Sequence, residues 1–185
     1  MNNRSIEQKV LAFEYMLSEL FEWYSEIQTK NNSISDITSF SRLKSLKLLF
    51  LTAAVGTSED NEGLLDIFNN FYAMQHGPVE SDIYGAILAG NTHVFDFSGR
   101  DTKMNDEKKK LFNNIDSSIK QRIDSAIALL KEQNKNIVTY PPFDLVEITH
   151  KWNSWKIAIE VAQILGKGSE MMNIENIKSD VKYFS

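Results

Sequence analysis

The chain has 185 residues, no cysteine, a formal net charge of −5 and 42% hydrophobic residues. That length suits one domain over residues 1–185, large enough to bury a core without staples. The missing cysteine excludes disulfides, thiolate metal sites and a cysteine nucleophile, and the acidic balance argues against nucleic acid, whose phosphates call for a basic surface.

The first ten residues lack the basic-then-apolar layout of a secretory signal. The longest apolar stretch, Leu48 to Val55, is too short to span a bilayer. The expectation is a cytoplasmic protein with no membrane partner. The strongest basic cluster, Lys108-Lys109-Lys110, follows Asp106 and Glu107 and is locally balanced.

In chain order, Ile6, Val10, Phe13, Leu17, Leu20, Tyr24 and Ile27 alternate spacings of four and three, the stripe of an amphipathic helix. Ser5 with Gln8 makes a capping box at its start. Three heptads could also form a seam between copies, so a monomer and a homodimer through this helix are both expected states. A second helix is predicted over about Phe40 to Val55, closed by Gly56. Its centre, Leu46 to Leu51, is apolar on nearly every side, as befits the central post of a core. Ser58 to Gly63 is an acidic surface loop.

Pro78 fits the first position of a third helix, with Glu80 and Asp82 in its first turn and Gly90 at its end. Val94 to Phe97 alternates as a short strand or an apolar loop anchor does. Ile115, Ile119, Ile123, Ala126, Ile127 and Leu130 mark another helix, and Tyr140-Pro141-Pro142 a break. Phe143 to His150 and Ser154 to Leu165 read as two helices, the second ended by Gly166 and Gly168. Asn173 caps a last helix carrying Ile174, Ile177, Val181 and Phe184. The fold class expected is mostly α: a single-domain multi-helix bundle around a central apolar helix, with one short strand or hairpin at most.

Catalytic patterns are incomplete. Glu147 and His150 have the Glu-x-x-His spacing of di-iron bundles, but no second copy exists, since Ala73 precedes His76 and Gly90 precedes His93 at that offset. The reading favoured for His150 is a hydrogen bond within the core that orients the turn towards Trp155, and for His76 a pairing with loop carbonyls. Gly166-Lys167-Gly168-Ser169 fails the phosphate-loop pattern because Val161 stands where a glycine is required. No Gly-x-Ser-x-Gly elbow is present. A helix opening at Pro78 would offer amides to an anion, but Glu80 and Asp82 oppose one. No enzyme, cofactor, metal or catalytic residue is therefore expected. Among the many aromatics, Trp23 and Tyr72 are the candidates for interface anchors.

Three ordered segments carry a family resemblance: Leu43-Lys44-Ser45-Leu46-Lys47-Leu48-Leu49-Phe50; Ala73-Met74-Gln75-His76-Gly77-Pro78-Val79 with Tyr84; and Leu145-Val146-Glu147-Ile148-Thr149-His150 with Trp155. Together they resemble the Panacea family of SocA-like, phage-associated antitoxins, from about Ile6 to the carboxy terminus. Met74 stands where that pattern leads one to expect tryptophan, and Pro141-Pro142 is unusual for it. The resemblance implies a helical domain that neutralises a cognate toxin by direct contact, a protease being a second partner in at least one relative. It carries over no catalytic or partner-binding residues. The alternative reading is an adaptor from a mobile element that delivers a partner to a protease.

Overall fold

In a computed structural model, the described residues are 5–97 and 101–185; part of the amino-terminal stretch read for a leader lies outside them. Helix α1, Ile6–Lys30, begins where the Ser5 side chain accepts from the Gln8 amide at 3.3 Å. Most of its stripe is spent inside the chain. Val10, Phe13, Leu17, Leu20 and Tyr24 are all buried in the chain's own core. Helix α2, Arg42–Ala54, is buried from Lys44 to its end. Gly56 follows with φ +70°, the left-handed turn that stops a helix.

The third helix does not open at Pro78. Residues Phe71–Met74 (β1) and Gly77–Glu80 (β2) form an antiparallel hairpin, with Phe71 opposite Glu80 and Met74 opposite Gly77. The physical reason lies in two residues. Gly77 takes φ +90°, which closes the turn cheaply only for glycine. Pro78, which has no amide hydrogen, sits on β2 at the sheet's edge, where a missing donor is tolerated. Helix α3, Ser81–Leu88, begins after the hairpin, and Glu80 is its cap, accepting from the Ile83 amide at 2.9 Å. Asp82 does lie in its first turn, as expected.

Phe95–Asp96 (β3) pairs with Lys103–Met104 (β4), so the alternating Val94–Phe97 segment is in part a strand. A 3-10 stretch, Asp106–Asn114, carries the lysine cluster, and α4, Ser117–Gln133, buries Ile119, Ile123, Ala126, Ile127 and Leu130. After the break, α5 (Pro142–His150), α6 (Asn153–Ile164), a short strand β5 (Glu170–Met171) and α7 (Ile174–Ser179) complete the chain. Asn173 caps α7 by accepting from the Glu175 amide at 2.8 Å. No helix of the described residues is long and apolar enough to cross a membrane.

The fold is mostly α with a small sheet in the order β2-β1-β5. Helix α2 packs against α1, α4, α5 and strand β2, so the hairpin shares the post with the helices. Phe50 on α2 meets Phe71 and Trp152 edge-on, with ring centroids 5.3 and 4.9 Å away. These perpendicular contacts suit the ring quadrupoles and tie hairpin, α2 and the α5–α6 turn into one core.

Candidate functional site

The three segments singled out in the sequence meet at the hairpin turn. Lys47 projects from α2 into the core, wholly buried, and its ammonium donates to the Pro78 carbonyl at 2.5 Å. A Cβ on Gly77 would lie 2.4 Å from Thr149 Oγ1 and 3.1 Å from Lys47 Nζ. The absence of a side chain there is what lets α2 and α5 close on the turn. Thr149 is itself held, donating to the Val146 carbonyl at 2.8 Å. From the other side, Trp155 Nε1 donates to the Met74 carbonyl at 3.1 Å. The Trp155 ring stacks on His150, with centroids 3.9 Å apart and planes 12° from parallel. One lysine, one glycine, one threonine and one tryptophan thus clamp the backbone of the turn from Met74 to Pro78.

The electrostatics of this clamp are unusual. Burial pushes Lys47 down to about 7 and Lys44, three residues earlier on α2, down to about 8. Lys44 lies over the faces of Phe40 and Tyr24, at 4.8 and 5.2 Å, so ring quadrupoles take the place of a carboxylate. Burial also lowers His150; Glu147 opposes this, while Lys47 adds to it. The His150 ring meets the Gln75 backbone, but its Nε2 is buried with no partner among the described residues. His150 thus both hydrogen-bonds to the Gln75 backbone and stacks on Trp155, as the core histidine expected beside that turn does. His76 is exposed at the turn, its ring edge-on to Phe143 at 6.1 Å. We expect Trp155→Phe, which keeps the stack and deletes one bond, to cost about 1 kcal/mol in urea unfolding. An unchanged midpoint would mean that the Met74 carbonyl is satisfied without it.

Two further polar clusters brace the frame. Lys9 donates to Glu80 at 2.9 Å, to Asp82 at 2.5 Å and to Asn69 at 3.0 Å, while Glu80 also accepts from the Asn70 amide at 3.2 Å. Burial raises Glu80 and the Lys9 charge opposes that rise. The second is Glu14, wholly buried on α1, whose Oε1 accepts from the successive amides of His93, Val94 and Phe95 at 2.9, 2.7 and 2.9 Å. An open cleft of about 690 Å³ lies beside both, lined by Ile6, Val10, Asp82, Ala86 and His93. Among the described residues no three His, Cys, Asp or Glu side chains stand close enough to hold a metal ion.

Of the aromatics singled out, Trp23 is buried, with the Lys131 ammonium 5.2 Å over its ring. It is not available as an interface anchor. Tyr72 is half-buried, opposite both Val79 and Met171 in the sheet. Tyr84 is half-buried, with Arg42 5.9 Å over its ring. Gly166-Lys167-Gly168 forms the exposed end of α6, Gly166 having φ +65°. Lys47 as the centre of the clamp went unread in the sequence. Its signal was there: a lysine inside an otherwise unbroken apolar run, on a helix with no polar face to receive it.

Comparison with known proteins returns one family. The model described as antitoxin SocA-like, Panacea domain, matches residues 46–156, more than half of the chain. No curated protein and no solved structure matches. The matched residues run from Leu46, within the buried part of α2, to Trp155 and its neighbour, so they contain every side chain of the hairpin clamp. With the clamp and the match covering the same segments, the chain belongs to the SocA-like antitoxin family, as a Panacea-domain protein.

Proposed function

We propose that residues 1–185 act as one unit that neutralises a cognate toxin by binding it directly, in the cytoplasm. The observation that carries this reading is the antitoxin family match over residues 46–156. The character of the matched region supports it. Its polar side chains are spent on holding a hairpin: Lys47 is wholly buried against a carbonyl, and Thr149 is wholly buried against Gly77. A centre for chemistry needs such groups to reach a substrate; a binding surface needs the backbone beneath it to be rigid.

Phe143 is the exposed aromatic within the matched span, 63% exposed and set against His76 at the hairpin turn. Buried aromatics anchor interfaces, so Phe143→Ala is the first variant to make. The test is co-expression with the toxic product of an adjacent gene. Growth is restored by the parent chain and restored poorly by Phe143→Ala at equal soluble level. Persistent toxicity in the presence of folded parent protein would defeat the antitoxin reading. Restored growth that disappears in a protease-deficient host, with the toxin accumulating, would replace occlusion by delivery.

A further inference from the structure

Gly85 stands in the middle of helix α3, where the fold itself gives glycine no task. A glycine inside a helix weakens it relative to alanine, because the freer backbone loses more on folding. Elsewhere in the chain glycine answers a need: a left-handed turn at Gly90, a close neighbour at Gly77. Gly85 has neither. Its φ is not positive, and a Cβ added there would meet nothing within 4 Å. The space around it belongs to the cleft of about 690 Å³, which Gly85 lines together with Val10 and Ala86. Ile6, 59% exposed, lines it too. That volume falls within the roughly 300–1,000 Å³ of ligand-binding clefts. A helix weakened at its centre to keep a cleft open is a place where another molecule approaches the backbone closely.

We infer that this cleft receives a basic side chain of the toxin, lysine or arginine, with an apolar residue beside it. The inference rests on the antitoxin reading and names the part of the partner that is gripped. Charge selects the occupant. Among the described residues no lysine or arginine lines the cleft, whereas Glu7 and Asp82 do. The nearby Lys9 ammonium is already engaged, bridging Asp82 and Glu80. Burial raises Asp82, but hydrogen bonds from Lys9 and Asn70 bring it below the ordinary carboxylate value, so it is ionised at neutral pH. Glu7, Asp82 and Glu80 thus stand against one ammonium and the positive ends of α1 and α3, about half a charge each, and the balance is negative. Ile6, Val10 and Ala86 offer apolar contact to the stem of a long basic side chain. The position suits the same partner. Strand β2 runs from the turn where His76 meets Phe143 to Glu80, the cap of α3, so one interface of ordinary size reaches both places.

The experiment is a titration of the full chain in two arms, read in the first by the backbone amide resonances of Gly85, Gly90 and Asn91. That arm uses acetyl-leucyl-arginine amide and its citrulline analogue, which keeps the shape and lacks the charge. Saturable shifts are expected with the arginine peptide by about 10 mM, and binding roughly tenfold weaker with citrulline. The second arm measures capture of the inactive toxin from the adjacent gene. Gly85→Leu, which fills the cleft, is expected to abolish peptide binding and to weaken toxin capture about tenfold, with the helical circular dichroism retained. Gly85→Ala covers the case in which leucine prevents folding. It raises the urea midpoint, since alanine suits a helix, yet weakens both ligands by about threefold. Glu7→Gln weakens both and leaves the midpoint in place. Arginine and citrulline peptides that bind alike, or toxin capture that neither Gly85→Leu nor Glu7→Gln alters, overturn the proposal and leave the antitoxin reading standing. A folded parent chain that captures no toxin defeats that reading, and this assignment with it.

Discussion

Gly77→Ala is expected to lose about 3–5 kcal/mol of stability, read as a fall in the urea midpoint with unchanged slope. Part of the loss is backbone. At φ +90° an L-residue costs roughly 1–2 kcal/mol that glycine does not. The larger part is steric, because the new Cβ would stand 2.4 Å from Thr149 Oγ1 and 3.1 Å from Lys47 Nζ. Neither neighbour can yield cheaply. Thr149 is wholly buried and bonded to the Val146 carbonyl, and Lys47 is wholly buried and bonded to the Pro78 carbonyl. Gly90→Ala is the control. It has φ +68° but nothing within 4 Å of the added atom, so it should show the backbone cost alone, about 1–2 kcal/mol. Equal losses in the two variants would mean that α2 and α5 do not grip the turn.

The second large effect is a dependence on pH. Lys47 titrates at about 7 in the folded protein because burial disfavours its charge, against an ordinary value of 10.5. Between those values the unfolded chain binds a proton that the folded chain does not. Stability therefore rises with pH across this window, by up to about 1.4 kcal/mol per pH unit, and is lost as pH falls towards 7. Lys44, lowered to about 8, adds in the same direction from its own folded value upward. Tyr15, raised by burial and by its hydrogen bond to Asp124, opposes the trend above pH 10, which sets the upper end of the measurement. Lys47→Met should flatten the rise between pH 7 and 10, leaving the smaller contribution of Lys44. At pH 7 itself its effect should be small. Removing a buried, unpaired ammonium favours folding, while an unsatisfied Pro78 carbonyl costs about 1–3 kcal/mol. Urea unfolding of both proteins at several pH values decides the matter. Parallel curves would show that Lys47 stays protonated with a partner other than that carbonyl.

Much of this molecule was legible because local rules sufficed. The alternating four-three stripe of α1, the Ser5 and Asn173 caps, the Tyr140-Pro141-Pro142 break and the inward face of α4 each depend on residues within one turn of each other. The hairpin was misread for a complementary reason. A proline ahead of two acidic residues fits a helix start locally, and only the pairing of residues 71–74 with 77–80 shows that the chain is still extended there. The hydrogen bond read for His150 is present, to the Gln75 backbone, but its parallel stack depends on where Trp155 falls after an intervening turn.

Composition and periodicity alone determined that the chain is mostly helical and that α2 lies at the centre, while the Panacea resemblance rested on the residues of the three motif segments and their order. The tertiary structure decided why those segments occur together. Lys47, Gly77 and Thr149 are 30 and 72 residues apart in sequence but share one contact, and no periodicity within a helix encodes a contact between helices. It also decided which apolar stripe is core and which is surface. The stripes of α1 and α6 look alike as spacing, but α6 carries a line of small residues beside its large ones. Close approach to the sheet favours the small line, so Ile157 and Ile164 of α6 face outward while Ile119, Ile123 and Ile127 of α4 face in.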